Sequence, residues 1–158
     1  MSKEEAIKEK LINKFSYLDG KVNVQRVRRI FTEVDYVNFL DVFVYLKENL
    51  GFGHLCTITG LDEAEKMSLI YHLADTAGII VNLRTSVLKE NPKVKTVSNY
   101  FPGAQIYERE LIDLLGFKVE GLPEGSRYPL TDDWPKDQFP LRKDWKDSVK
   151  SSMKNTLE

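Results

Sequence analysis

The sequence predicts an α+β fold: a mixed, mostly antiparallel sheet of about four strands with packed helices, continued by an extended C-terminal segment. Three observations predict it. Two stretches near the start and one around Leu111 carry apolar residues at helical spacing. Between them, three strand-like runs are joined by short polar links, the pattern of hairpins. Beyond Gly116, four of the six prolines fall between Pro123 and Pro140, where they bar helix interiors and central strands. The division expected is an α+β domain over 1–117, an extended partner-docking segment over 118–146 and a frayed polar tail over 147–158.

The first helix is expected from Ser2 to Leu18. Ser2 and Glu5 make a capping box, and Ile7, Leu11, Phe15 and Leu18 repeat at helical spacing. Such a helix either packs on its own sheet or binds a partner, and the first is the commoner arrangement. Lys21 to Glu33 is rich in β-formers, with a basic cluster, Gln25-Arg-Val-Arg-Arg29, that suits the solvated face of an edge strand or an electrostatic docking patch. Asp35 is placed to cap a second helix running to about Asn49, apolar nearly all round; its Val42-Phe-Val-Tyr45 run also suits a strand. Gly51-Phe-Gly53 follows that helix and leads into a strand, which is the wrong context for a phosphate-binding loop.

The strand-like runs are His54–Leu61, Lys66–Ala74 and Gly78–Leu88. His72 sits inside the second as a pairing residue, with nothing beside it to make it a catalytic base. Glu90-Asn-Pro92 turns the chain, and Ser98 is placed to cap a short helical turn. Then Phe101-Pro-Gly-Ala104 leads into a helix over Tyr107-Glu-Arg-Glu-Leu-Ile-Asp-Leu-Leu115, closed by Gly116 in a left-handed conformation. Leu111, Ile112 and Leu115 fall on one stripe of this helix, with Glu108 in its middle. A carboxylate there needs a cation, from this chain or from another protein. Arg109 and Asp113, four apart, are spaced to pair.

Composition excludes several function classes. The net charge is −1 with both signs interspersed, which denies the basic face a nucleic-acid partner needs. No run of about 18 apolar residues exists to span a membrane. Met-Ser-Lys-Glu-Glu lacks the apolar core of a signal peptide, so a cytoplasmic protein is expected. Cys56 is the only cysteine, too few for an iron–sulfur cluster; His54 and His72 have no zinc-ligand spacing. Glu108 and Glu110 lie about 200° apart on a helix, a poor geometry for paired acid–base work.

The run Glu108-Arg-Glu-x-x-Asp-Leu-Leu-Gly116 with the later Trp134…Pro140-Leu-Arg-Lys-Asp-Trp145 resembles the 30-kDa subunit of respiratory complex I and its counterparts in energy-converting membrane-bound hydrogenases. Phe101-Pro-Gly-Ala104 and Gly51-Phe-Gly-His-Leu55 fit the same pattern, so the resemblance spans roughly Tyr36 to Trp145. One position departs from it: complex I members usually carry Gly-His-Pro after the helix, and this chain has Gly121-Leu122-Pro123. That form looks more like the hydrogenase branch.

The resemblance implies a non-catalytic subunit on the cytoplasmic face of the membrane, attached only through its partners. It implies no cofactor on this chain; the NiFe centre and Fe–S clusters belong to the large catalytic and small Fe–S subunits. The complex would couple ferredoxin-linked hydrogen evolution to ion pumping; the alternative is the equivalent subunit of complex I proper or of a related quinone or sulfur reductase. The residues it implies for partner binding are Glu108, Arg109, Glu110 and Asp113 on the helix, and Trp134, Leu141, Arg142, Lys143, Asp144 and Trp145 on the segment. Two tryptophans in an extended run suit interface anchors.

Overall fold

A computed structural model describes residues 1–146; the polar tail expected over 147–158 lies outside the described residues. Ser2 starts helix α1 (Lys3–Lys14), its hydroxyl accepting the Glu5 N–H at 3.1 Å. The helix stops short of the expected Leu18. Phe15 leaves helical geometry (φ −130°, ψ 86°), and one 3-10 turn, Ser16–Leu18, follows. The Phe15 ring meets Tyr45 edge-on at 5.4 Å, so the break has a packing partner.

The β-rich run is two strands, β1 (Val22–Arg26) and β2 (Arg29–Glu33), joined at Val27-Arg28. Arg28 takes a left-handed φ of 60°, which its type rarely adopts. The Glu4 carboxylate accepts its N–H at 2.7 Å and holds the turn. Asp35 occupies the N-cap of α2 (Tyr36–Glu48), but its side chain makes no capping bond; its backbone carbonyl accepts the Asn38 N–H instead. Val42 to Tyr45 is helix here, and Phe39, Val42, Phe43 and Leu46 are buried.

Then come β3 (His54–Glu63), β4 (Lys66–Ala74) and β5 (Ile80–Leu88), two antiparallel hairpins as the short links suggest. The sheet order is β1-β2-β5-β4-β3, five strands in all. Within this sheet β2 and β5 are the one parallel pair, because α2 and the β3–β4 hairpin carry the chain across before β5 returns beside β2. Met67, Leu69, Tyr71 and Leu73 alternate into the core, where Phe39 and Phe43 lie 4.6 and 5.5 Å from the Tyr71 ring. The opposite side of β4 carries His72, whose ring bridges the Thr59 hydroxyl at 2.9 Å and Asn82 Oδ1 at 2.7 Å on the flanking strands. It is the pairing histidine the sequence suggests.

A second, two-stranded sheet joins β6 (Lys93–Lys95) and β7 (Lys118–Glu120), which bracket helix α3 (Ala104–Leu115). Residues 118–120, expected in the extended segment, therefore pair with the domain. The run without helix or strand begins at Gly121. The helix itself starts three residues before Tyr107, at Ala104.

Candidate partner-docking site

Helix α3 is seated by two glycines. A Cβ at Gly60 of β3 would lie 2.5 Å from both Leu111 Cδ2 and Leu115 Cδ1, so the missing side chain lets the helix settle onto the strand. Gly116 ends the helix at φ 73°, where its N–H reaches the Ile112 carbonyl at 3.0 Å. Tyr107 adds a third tie, its hydroxyl donating to the Cys56 carbonyl at 2.8 Å.

Glu108 is buried, as its place on the apolar stripe requires, but the expected cation is absent among the described residues. Its carboxylate accepts the Thr96 hydroxyl at 2.6 Å and the Val97 N–H at 2.7 Å. Burial raises its pKa, and those two donors offset part of the rise. Glu108 thus fastens the loop after β6 to α3 and does not present its charge outward. Arg109 and Asp113 do not pair with each other either. The Arg109 guanidinium donates to the Pro123 carbonyl at 2.6 Å. Asp113 is buried and accepts Arg127 Nε at 3.0 Å and the Leu130 N–H at 3.1 Å. The i,i+4 pairing loses because the returning chain supplies a second arginine and a backbone donor. Glu110 alone of the four stays exposed.

The segment after Gly121 folds back as a strap over the C-terminal end of α3. Phe139 lies over Gly116, where a Cβ would meet its ring at 2.7 Å. Arg142 stacks on Phe139 at 4.9 Å and donates Nε to the Leu115 carbonyl at 2.7 Å, capping the negative end of the helix. The Leu141 N–H bonds the Leu114 carbonyl at 3.0 Å, leaving its side chain 59 % exposed. The Lys143 N–H reaches Asp62 Oδ2 at 2.9 Å. Lys89 lies 2.7 Å from the same carboxylate and 3.4 Å from Asp144. Burial alone would raise the Asp62 pKa; Lys89 and the N–H groups of Lys143 and Ala64 outweigh it and hold the carboxyl below its ordinary value. Trp134 and Trp145 lie against each other, ring centres 6.2 Å apart and half-buried, and both reach Gln138.

The two sequence motifs therefore meet within one chain. The pattern named Gly116 and Arg142 but missed what joins them. Arg127, Asp62 and Lys89 carry the strap's charge contacts, and Asp62 gave only the weak signal of a turn acid between two strands. No group of three His, Cys, Asp or Glu among the described residues is set to hold a metal. No helix among them is long and apolar enough to cross a membrane.

The chain is similar to known proteins along nearly its whole length. Residues 32–150 match the family model described as respiratory-chain NADH dehydrogenase, 30 Kd subunit. The chain belongs to that family. Among its relatives, a subunit of the F(420)H(2) dehydrogenase of Methanosarcina mazei is 29 % identical, over 94 % of this chain and 96 % of its own. The beta subunit of the membrane-bound hydrogenase of Pyrococcus furiosus is 24 % identical, over 98 % and 93 %. A solved structure of the membrane-bound sulfane sulfur reductase, an archaeal respiratory membrane complex, contains a chain that superposes with a TM-score of 0.85 at 26 % identity, covering 98 % of this chain and 92 % of that one. This member of the 30-kDa family is thus similar along nearly its whole length to subunits of multisubunit membrane complexes, which implies partner subunits.

Proposed function

We propose that this chain is a non-catalytic subunit of a membrane-bound, ion-pumping [NiFe] hydrogenase complex, where it clasps the large catalytic subunit and supports ferredoxin-linked hydrogen evolution. The observation that carries the docking role is the strap. Glu110 and Leu141 line one groove beside α3, and Trp134 and Trp145 pair on the same strap as aromatic anchors. Arg109 and Asp113 bond the strap from α3, Arg142, Lys143 and Asp144 hold it at Leu115, Asp62 and Lys89, and Glu108 holds the helix itself. In this reading the NiFe centre and Fe–S clusters lie on the large and small partner subunits, and the chain sits peripherally on the cytoplasmic face. Leu122, in place of the histidine usual in complex I, supports the hydrogenase branch, as does the likeness to a membrane-bound hydrogenase subunit.

A second reading, a subunit of a sulfur reductase or of a dehydrogenase feeding quinone or a similar acceptor, is favoured by the solved neighbour and by the Methanosarcina mazei relative. One experiment separates them. The tagged chain is isolated from gently solubilised native membranes and assayed with reduced ferredoxin or viologen. Hydrogen evolution with a nickel–iron subunit in the eluate is the expected result. Sulfur or quinone reduction without hydrogen supports the second reading. A chain that comes down alone overturns the subunit proposal.

A further inference from the structure

The strand nearest α3 ends the sheet. β3 is ten residues long and has β4 on one side only. Alternate residues along Thr57-Ile-Thr-Gly-Leu61 therefore point their N–H and C=O groups away from β4. No backbone group of these residues bonds to anything beyond β4 among the described residues. Exposed edges of this kind are normally blunted by lysine, proline, a bulge or a covering element. Here the run holds neither lysine nor proline, the register shift of β3 lies before it, between Leu55 and Thr57, and α3 covers Gly60 with leucine side chains without bonding the outward backbone of 57–61.

Beside that edge runs a groove of about 240 Å³, whose other wall is α3 and whose end is closed by the strap. Leu111, Leu114 and Leu115 line it with Leu141, the most exposed apolar side chain of the strap after Gly121. Glu110 stands at its rim, exposed, and pairs with no cation among the described residues. Gly60 is pinned from the core side by Leu111 and Leu115, so the strand and the helix hold their spacing. The chemistry that fits is specific. The strand edge asks for extended backbone, the leucines for an apolar side chain, and Glu110 for a cation beside it.

We propose that the edge of β3 receives an extended segment of the large partner subunit as a sixth strand, with an apolar side chain among the leucines and a lysine or arginine against Glu110. This inference rests on the docking role argued above and names where and how the partner binds. It takes the partner because Leu141 of the strap, on which the docking role rests, forms part of the groove wall, and because the groove's one charged residue, Glu110, is negative and unpaired among the described residues.

The test is backbone amide exchange, followed by mass spectrometry, on the full chain alone and in the purified complex. Amides of residues 57–61 should exchange about 100-fold more slowly in the complex, since a paired edge opens only with its partner. Glu110→Arg should cut recovery of the complex about tenfold by the charge reversal while leaving the melting temperature of the chain alone unchanged. If the complex forms and residues 130–145 gain protection while 57–61 do not, the sixth strand is refuted and the docking role stands. If the chain alone is a dimer with 57–61 already protected, the edge pairs with a second copy and the proposal falls. If the chain forms no complex, both fall.

Discussion

Glu108 is a carboxylate sealed in the core without a cation, and replacing it separates hydrogen bonding from charge. Its partners are the Thr96 hydroxyl and the Val97 N–H, both buried. Glu108→Ala turns the Thr96 hydroxyl to Ser98, 2.7 Å away, and leaves the Val97 N–H unmet, at about 1–3 kcal/mol. Losing the desolvated charge offsets part of that and the cavity left behind adds to it, so the expected net cost is about 2–3 kcal/mol. Glu108→Gln keeps the Val97 bond through Oε1. Its Nε2 can donate to Thr96, whose hydroxyl then turns to Ser98, 2.7 Å away. That variant should fall within about 1 kcal/mol of the parent at neutral pH. The pH dependence carries a sign. The folded-state pKa of Glu108 is raised, so the ionised form penalises folding above that value. The penalty fades as pH falls through the folded value toward the ordinary one of 4.5. The parent should therefore gain stability relative to Glu108→Gln over that window. Urea unfolding of the full chain from pH 8 to pH 4 measures both effects. Equal losses in the Ala and Gln variants at every pH would show that the charge itself is required and refute this account.

Asp62 should behave in the opposite sense, because its carboxyl is held below the ordinary value. Asp62→Asn is expected to cost about 2 kcal/mol at neutral pH, and the parent's advantage to vanish as pH falls through the lowered folded value. Gly116→Ala imposes a left-handed alanine at about 1–2 kcal/mol and drives a methyl into Phe139 and Arg142. The strap should lift while the domain stays folded, and the emission of Trp134 and Trp145, the only tryptophans, should shift to the red; an unchanged spectrum would mean the strap does not rest there. Gly60→Ala overpacks the strand against Leu111 and Leu115, with an expected loss of about 1–3 kcal/mol in thermal unfolding.

The sheet's hairpins were legible because β3, β4 and β5 are nine or ten residues long and are separated by short polar links. Gly116 was legible because a glycine after an apolar helical stripe has one common use. The β1–β2 turn was not, because Val27-Arg28 carries no turn residue and its left-handed Arg28 is held from outside by Glu4, a contact between residues 24 apart. β6 and β7 were hidden by their length of three residues each, and the parallel β2–β5 pair by its dependence on a crossover. At the site, spacing put Glu108 in the core correctly but named the wrong kind of partner. A carboxylate's need for donors can be met by a hydroxyl and an amide as well as by a cation, and only the fold says which. The same holds for Arg109 and Asp113, whose helical spacing permits a pair that the returning strap outcompetes.

The strap also bears on how such a protein assembles with its partners. An extended segment that ordered only on its partner would charge the entropy of that ordering against affinity, at about 1–2 kcal/mol for each backbone residue fixed. Here Arg127 on Asp113, Arg142 on the α3 carbonyls and Lys143 on Asp62 hold the segment against its own domain. Much of the ordering is therefore already made within the chain, so in the proposed docking role Leu141 and the tryptophan pair would be presented with that cost already met. These ties are part-buried and spaced along the segment, so they fix the strap's course over α3 and the end of β3. The fold thus separates two tasks. The buried sheet and Glu108 set the position of α3, and the strap, anchored on α3, carries the surface proposed above to meet a partner.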